Sequence, residues 1–254
     1  MLTPPTNDKK GEMESRVLDL SSNNLRGVIP QEIHHLENLQ TLYMSSNELS
    51  GPLPPGIGNM KALQALFLTG NALTGPLPPA IFNMSSLKRI QLTGNRLSGA
   101  LPSEIGHMKP LEYLNMKNNS FTGSIPSTIG NLSNLAYLDL SYNNLNGSIP
   151  SSTVKLANLA YLDFSNNKLN GQIPPSFGNL SKLADLFLSY NKLNGPLPSD
   201  IGKLSNLILN VSPNFLLCRV SPPPSGTSVS STTVVLTIRS GCSPLSENYS
   251  FNLN

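Results

Sequence analysis

The sequence predicts an α/β solenoid, a parallel β-sheet made from about nine tandem coils that are each closed by a short 3-10 or helical turn. Two observations predict it. An Asn returns at Asn23, Asn47, Asn71, Asn95, Asn119, Asn143, Asn167 and Asn191, every step 24 residues. The residues around it return as well: "LAYLDLSYNNLNGSIP" from Leu135 is rewritten as "LAYLDFSNNKLNGQIP" from Leu159. A period of about 20–50 residues marks stacked units, none of which can bury its apolar face alone.

Each part of the coil has a physical reason. Apolar residues stand eight, five and three positions before the Asn, as Leu111, Leu114 and Met116 do before Asn119, and two after it, as Phe121 does. The L-x-L step alternates sides, which is strand geometry, and stacking at about 4.8 Å turns the strands into a sheet over one core. The Asn falls where the strand turns away and backbone groups lose their sheet partners; its amide offers them a donor and an acceptor. Gly recurs four after the Asn, from Gly27 to Gly195, which fits a turn of positive φ or a close backbone approach. Ile or Leu followed by Pro then ends the extended segment, from Ile29-Pro30 to Leu197-Pro198. Apolar pairs such as Ile105/Met108, Ile129/Leu132 and Ile201/Leu204 suit a short helical turn facing inward. Coil six writes Thr153-Val154 where Ile-Gly is usual, so a local shift is expected there. Asn214 follows after 23 residues, where the pattern is expected to decay.

The pattern L-x-x-L-x-L-x-x-N-x-L followed by L-x-G-x-I-P-x-x-I-G-x-L resembles the plant-type leucine-rich repeat. That class occurs in the ectodomains of plant receptor-like kinases and receptor-like proteins, which act in signalling and defence, and in polygalacturonase-inhibiting proteins. The resemblance covers residues 15–217. It implies a right-handed superhelix, a concave parallel sheet, a second short sheet from the L-x-G-x-I-P segments, and an extracellular or cell-surface location. Residues 1–14 form a flank without the Cys-containing cap of that class, and 218–254 an irregular Pro/Ser/Thr-rich tail with one candidate strand, "TTVVLTI". The chain is expected to be an excerpt, a truncated product, or a receptor-type module without its flanks.

Composition narrows the function. A net charge of +3 without a Lys/Arg run argues against nucleic acid. No run of 18 apolar residues, secretory apolar stretch, phosphate-binding loop or H-R-D set is found. Cys218 and Cys242 are either one bridge or two free thiols, and their number leaves both open. His34 and His35 on one coil and His107 on another have no Cys/Asp cluster beside them, so neither a metal nor a cofactor is expected.

Candidate ligand-binding residues lie six, four and two positions before each Asn. They are Phe67, Arg89, Tyr113, Lys117, Tyr137, Asp139, Tyr161, Asp163, Asp185 and Phe187, with Tyr43 in an earlier coil. Aromatic side chains that reach solvent suit a peptide or protein partner, and a co-receptor is a further partner that the resemblance implies. Lys88, Arg89 and Lys117 cluster before Asp139, Asp163 and Asp185, so a peptide of mixed charge would lie across the face in one direction. The competing reading is sheet-stabilising aromatics on a solvated surface, with the Asp (also at Asp19) a habit of the repeat. Asp139 and Asp163 invite a glycosidase reading, but an open sheet offers no wall to raise one pKa. Asn83, Asn118, Asn131, Asn146, Asn179 and Asn248 are candidate glycosylation sites; Asn210, which faces the concave side, is the least suited. The expectation is a non-catalytic recognition module that binds through its concave face. The alternative is a secreted inhibitor of microbial cell-wall hydrolases. An ice-binding surface is disfavoured by outward columns of mixed size and charge.

Overall fold

A computed structural model describes residues 16–217 and the two-residue strand Val235–Leu236. Residues 1–15, both cysteines and Asn248 lie outside the described residues. The large sheet has ten parallel strands in chain order: Val17–Asp19, Thr41–Tyr43, Ala65–Phe67, Arg89–Gln91, Tyr113–Asn115, Tyr137–Asp139, Tyr161–Asp163, Asp185–Phe187, Ile208–Asn210 and Val235–Leu236. Of the candidate strand in the C-terminal tail the described residues are Val235, beside Ile208, and Leu236, beside Leu209. A second parallel sheet of nine strands runs from Arg26–Val28 to Phe215–Leu217 and comprises the L-x-G-x-I-P segments. Five-residue 3-10 turns, such as Ser103–His107 and Ser127–Asn131, close the coils.

The core is one continuous column. In coil five Leu111, Leu114, Met116, Phe121, Ile125, Ile129 and Leu132 are all buried, and the equivalent residues of neighbouring coils pack above and below them. Fully burying each such side chain is worth about 1.5–3 kcal/mol, so stability accumulates coil by coil.

The predicted Asn column joins the coils. The Nδ2 of Asn95 donates to Leu92 O in its own coil at 3.1 Å and to Leu68 O in the preceding coil at 2.9 Å. Its Oδ1 accepts from Leu73 N, also in the preceding coil, at 3.1 Å. Asn119, Asn143, Asn167 and Asn191 repeat this set. Each amide thus grips the coil before it on both sides of that coil's turn. Partners in the large sheet are 24 residues apart, as Tyr137 and Tyr161 are, whereas those in the small sheet are 22 apart, as Gly123 and Leu145 are. The N–H that each Asn accepts is also 22 residues back, so the amide stands where the second register begins.

Two details differ from expectation. Asn214 keeps the ladder despite its shortened step: Leu193 N donates to its Oδ1 at 2.9 Å, and its Nδ2 donates to Leu188 O at 2.8 Å. The one-residue deletion is absorbed before the turn, so the geometry at the amide survives. Coil six does not move out of line either. Its 3-10 turn Ser151–Lys155 keeps the usual five-residue span, with Thr153 buried in place of Ile and its hydroxyl without a partner. The change appears in packing instead, as this turn sits less intimately against the next one, Pro175–Asn179. A Cβ on Gly106 would come 2.6 Å from Thr128 O of the following coil, which shows how closely the glycine turns stack. Val154, in the equivalent position, holds its neighbour off.

Asn119→Ala should therefore lower stability by about 1–3 kcal/mol, the cost of leaving buried backbone groups unpaired. Asn23→Ala should cost much less, because the Asn23 amide donates only to Leu20 O and Ser21 O in its own coil. Urea-denaturation midpoints of the two variants measure the contrast.

Candidate functional site

The outer face of the large sheet carries the candidate residues, and the sheet register decides what they touch. Tyr113, Tyr137 and Tyr161 pair directly across adjacent strands. Their rings stack at centroid separations of 4.2 and 4.3 Å, with interplanar angles of 12° and 5°. Phe187 closes the row, tilted 56° at 5.6 Å from Tyr161. Tyr43 and Phe67 form a second stack at 4.6 Å, two coils before Tyr113. The rings are half-buried; the Tyr161 hydroxyl donates to Asp163 Oδ2 and the Tyr113 hydroxyl accepts from Asn115 Nδ2, both at 3.4 Å. Burial pushes the Tyr137 and Tyr161 hydroxyls well up from their ordinary range, with nearby Asp139 and Asp163 adding to the effect. Both remain neutral hydrogen-bonding groups at physiological pH.

The aspartates do not stand where they were expected. Asp139 is 2 % exposed and Asp163 6 %. Asp139 Oδ1 accepts from Ser141 N at 2.9 Å and Ser141 Oγ at 2.6 Å, and Asp163 Oδ1 accepts from Ser165 N at 2.8 Å. Asp19, Asn115 and Asn210 accept the N–H two residues on in the same way. The column is thus a series of Asx turns that start the bend after each strand. A wall around Asp139 does exist, contrary to the expectation of an open surface, and burial raises its pKa above the ordinary 3.8. That does not revive a glycosidase reading, because so little of either carboxylate is open to substrate.

The charge gradient is weaker than the sequence implied. Lys88 is paired with Glu112 at 3.9 Å, which leaves exposed Arg89, half-buried Lys117 and half-buried Asp185 as the charges of the face. Arg89 and Lys117 have no ion-pair partner among the described residues. Asn83, Asn131 and Asn179 end three 3-10 turns and are exposed, as are Asn118 and Asn146; Asn210 is half-buried on the strand Ile208–Asn210. On the small sheet Ser50, Thr74, Ser98, Thr122, Asn146, Asn170 and Asn194 recur once per coil after Arg26, but the 22-residue register sets Thr74 beside Arg96, Asn146 beside Lys168 and Asn170 beside Lys192, so the surface is mixed, as expected. Sequence reasoning missed Tyr142 and Tyr190, which are large and exposed beside the face. Their signal was available, since they interrupt a column of Ser, Gly and Asn. Among the described residues no cluster of His, Cys, Asp and Glu could hold a metal, and no helix is long and apolar enough to cross a membrane.

The large sheet thus presents an open face of aligned side chains, with Asp139 and Asp163 committed to turns. The chain belongs to the leucine-rich repeat family: the profile described as "Leucine rich repeat" matches residues 16–49, 85–145, 109–169 and 134–193, and a second one matches 62–84. No curated protein sequence matches it. Among solved structures it is similar to the ectodomain of the Arabidopsis thaliana membrane receptor kinase GASSHO1/SCHENGEN3 in complex with Casparian strip integrity factor 2. The two are 42% identical with a TM-score of 0.77, over 79% of this chain and 24% of that one. The Arabidopsis receptor kinase HAESA, in complex with the peptide hormone IDA and the co-receptor SERK1, is 35% identical with a TM-score of 0.76, over 79% and 34%. A plant ice-binding protein is 32% identical with a TM-score of 0.70, over 79% and 65%. The chain thus spans about a quarter to a third of the receptor ectodomains it matches.

The raised pKa of Asp139 has a stability consequence. The folded state holds this proton to higher pH than the unfolded state does, so the group's contribution is most favourable below its ordinary value and declines as pH rises through its folded value. Asp139→Asn keeps the oxygen that accepts from Ser141 and removes the titration. Urea midpoints measured from about pH 4 to about pH 7 should fall more steeply with rising pH in the parent than in this variant.

Proposed function

We infer that the chain is a non-catalytic recognition module that binds a peptide or protein on its concave sheet, as part of a cell-surface protein of the receptor type. The observation that carries this reading is the row Tyr113, Tyr137, Tyr161 and Phe187 across four adjacent strands, with Lys117 on the coil of Tyr113 and Arg89 one coil upstream, neither in an ion pair among the described residues. Rigid rings on a hydrogen-bonded sheet present contact area that loses little freedom on binding, and cations beside them give direction. The similar receptor ectodomains in complex with a peptide hormone support a peptide as partner, and the one with SERK1 supports a co-receptor as a second. A random 12-residue peptide library displayed on phage, selected on the full chain, tests it. Selected peptides should bind the Tyr137→Ala/Tyr161→Ala variant roughly 30-fold or more weakly, the loss expected of two aromatic anchors. Unchanged affinity in a variant that keeps its far-UV circular dichroism would defeat the reading.

A second reading is favoured by one observation. The chain is similar to a plant ice-binding protein over 65% of that protein's length, and Ser, Thr or Asn recurs at one position of the small-sheet strands from Ser50 to Asn194, with Thr122 beside the uncharged Ala100 and Asn144. If that face recognises ice, Thr122→Lys, which puts a bulky charge between Ala100 and Asn144, should reduce inhibition of ice recrystallisation by the purified chain. A parent chain inactive in that assay removes the reading.

A further inference from the structure

The residue before each ladder Asn is left-handed in the first eight coils, with φ between 54° and 67°. At six of these positions it is Ser, Gly or Asn: Ser22, Ser46, Gly70, Gly94, Asn118 and Asn166. At the other two it is Tyr142 and Tyr190, with φ of 54° and 55°. Gly adopts this region freely and Asn comparatively easily, whereas a bulky ring there is an outlier that works against its own turn. Burial does not compensate, because Tyr142 is 50% exposed and Tyr190 60%. Two large rings held in unfavourable turns and left in water are poorly explained by folding, and backbone strain of this kind gathers at binding sites.

Their surroundings give the occupant's chemistry. Lys117 Nζ lies 5.3 Å from the centre of the Tyr142 ring, which joins that ring to the edge of the concave face. Lys117 is a lone cation in a column that otherwise holds Ser21, Ser45, Thr69, Thr93, Ser141, Ser165 and Ser189. The carboxylate whose charge it shares, Asp139, is buried and held by Ser141. Between the two tyrosines, one coil from each, stands the half-buried amide of Asn166.

We propose that Tyr142 and Tyr190 are the walls of a slot on the rim of the concave face, with Asn166 between them, and that its occupant is an extended acidic peptide. The peptide places one ring between the tyrosines and an Asp or Glu, three residues away, on Lys117. This rests on reading the concave face as a peptide-binding surface, and it adds residues and a ligand pattern to that reading. The spacing follows from the stack. Coils about 4.8 Å apart put the two tyrosines roughly 10 Å apart, so a ring midway lies roughly 5 Å from each, inside the range of aromatic pairing. Lys117 is two coils from the middle of the slot, again roughly 10 Å, which is the reach of three extended residues. Arg89, one coil further on and unpaired, extends the preference for acidic residues in the same direction.

The 12-residue phage library, selected on the full chain, is the probe. Selected peptides should carry Asp or Glu three residues from Phe, Tyr, Trp or Pro, and Lys117→Gln should erase the preference for the acid. Tyr142→Asn with Tyr190→Asn should weaken the selected peptides roughly tenfold while raising Tm by about 2–4 °C, because Asn fits the left-handed turn better. Unchanged affinity in that variant overturns the proposal, and so does a lowered Tm, which would show that the rings serve the fold. If affinity is unchanged there but lost in Tyr137→Ala/Tyr161→Ala, the slot fails and the concave-face reading stands. If neither variant loses affinity, or the library yields no binder, both fail.

Discussion

A coil that leaves a three-residue strand and turns sharply strands backbone N–H and C=O groups inside the protein, and an unpaired buried backbone group is among the costlier defects a fold can carry. The side-chain amide of Asn meets that need with two donor hydrogens and an acceptor on one short arm. Here it does more than satisfy its own turn. By donating to Leu68 O and accepting from Leu73 N, Asn95 spans the turn of the coil before it and holds the large-sheet and small-sheet portions of that coil together. The two sheets run in registers of 24 and 22 residues, and the difference must be taken up once per coil, at the amide. Every other regularity, from the buried Leu columns to the stacked tyrosines, assumes that this offset is reproduced without drift.

The same economy governs the recognition face. Positions that answer to the backbone are chemically narrow: Asp or Asn at the Asx turns of coils one, five, six, seven and nine, and Asn on the ladder. Positions that answer to nothing in the backbone vary freely. The column six before the ladder runs Val17, Thr41, Ala65, Arg89, Tyr113, Tyr137, Tyr161, Asp185, which no structural requirement orders. On the proposed reading specificity resides in a few columns, and a charged residue is not a ligand contact merely because it alternates outward.

How much of this could be read from the sequence depends on whether the property was periodic. The sheet, its neighbours, the ladder and the positive φ at Gly123 follow from a 24-residue repeat, because stacking converts identical residues into identical surroundings, whereas the second sheet was implied by the family resemblance. Tyr113, Tyr137 and Tyr161 were legible as a stack for the same reason. The burial of Asp139 and Asp163 was not, since alternation gives the side of a strand and not how far neighbouring rings and the next turn cover it. Asn214 shows the reverse limit: a one-residue deletion breaks the written period but not the hydrogen bonds, because it is absorbed before the strand Ile208–Asn210, ahead of the turn. Tyr142 and Tyr190 escaped because a column of Ser, Gly and Asn reads as a tolerant turn. Only the observed φ shows that the turn is left-handed and that tyrosine is the costly choice there.

Recognition by such a face differs in kind from recognition in a pocket. The sheet cannot close over a ligand, so affinity depends on surfaces already ordered before binding. Stacking does this for the tyrosine row, where each ring restricts the next and the sheet restricts them all. Burial also keeps the Tyr137 and Tyr161 hydroxyls neutral, so they donate and accept hydrogen bonds without adding charge. The charge of the face is then left to Arg89, Lys117 and Asp185. Two cations at one end and one partly covered carboxylate at the other impose a direction on a bound chain, while the rings between them supply contact area that is indifferent to direction. A solenoid can thus separate orientation from affinity by placing them on different residues of the face, and a change at one of these can retune the first without disturbing the amides that hold the second in place.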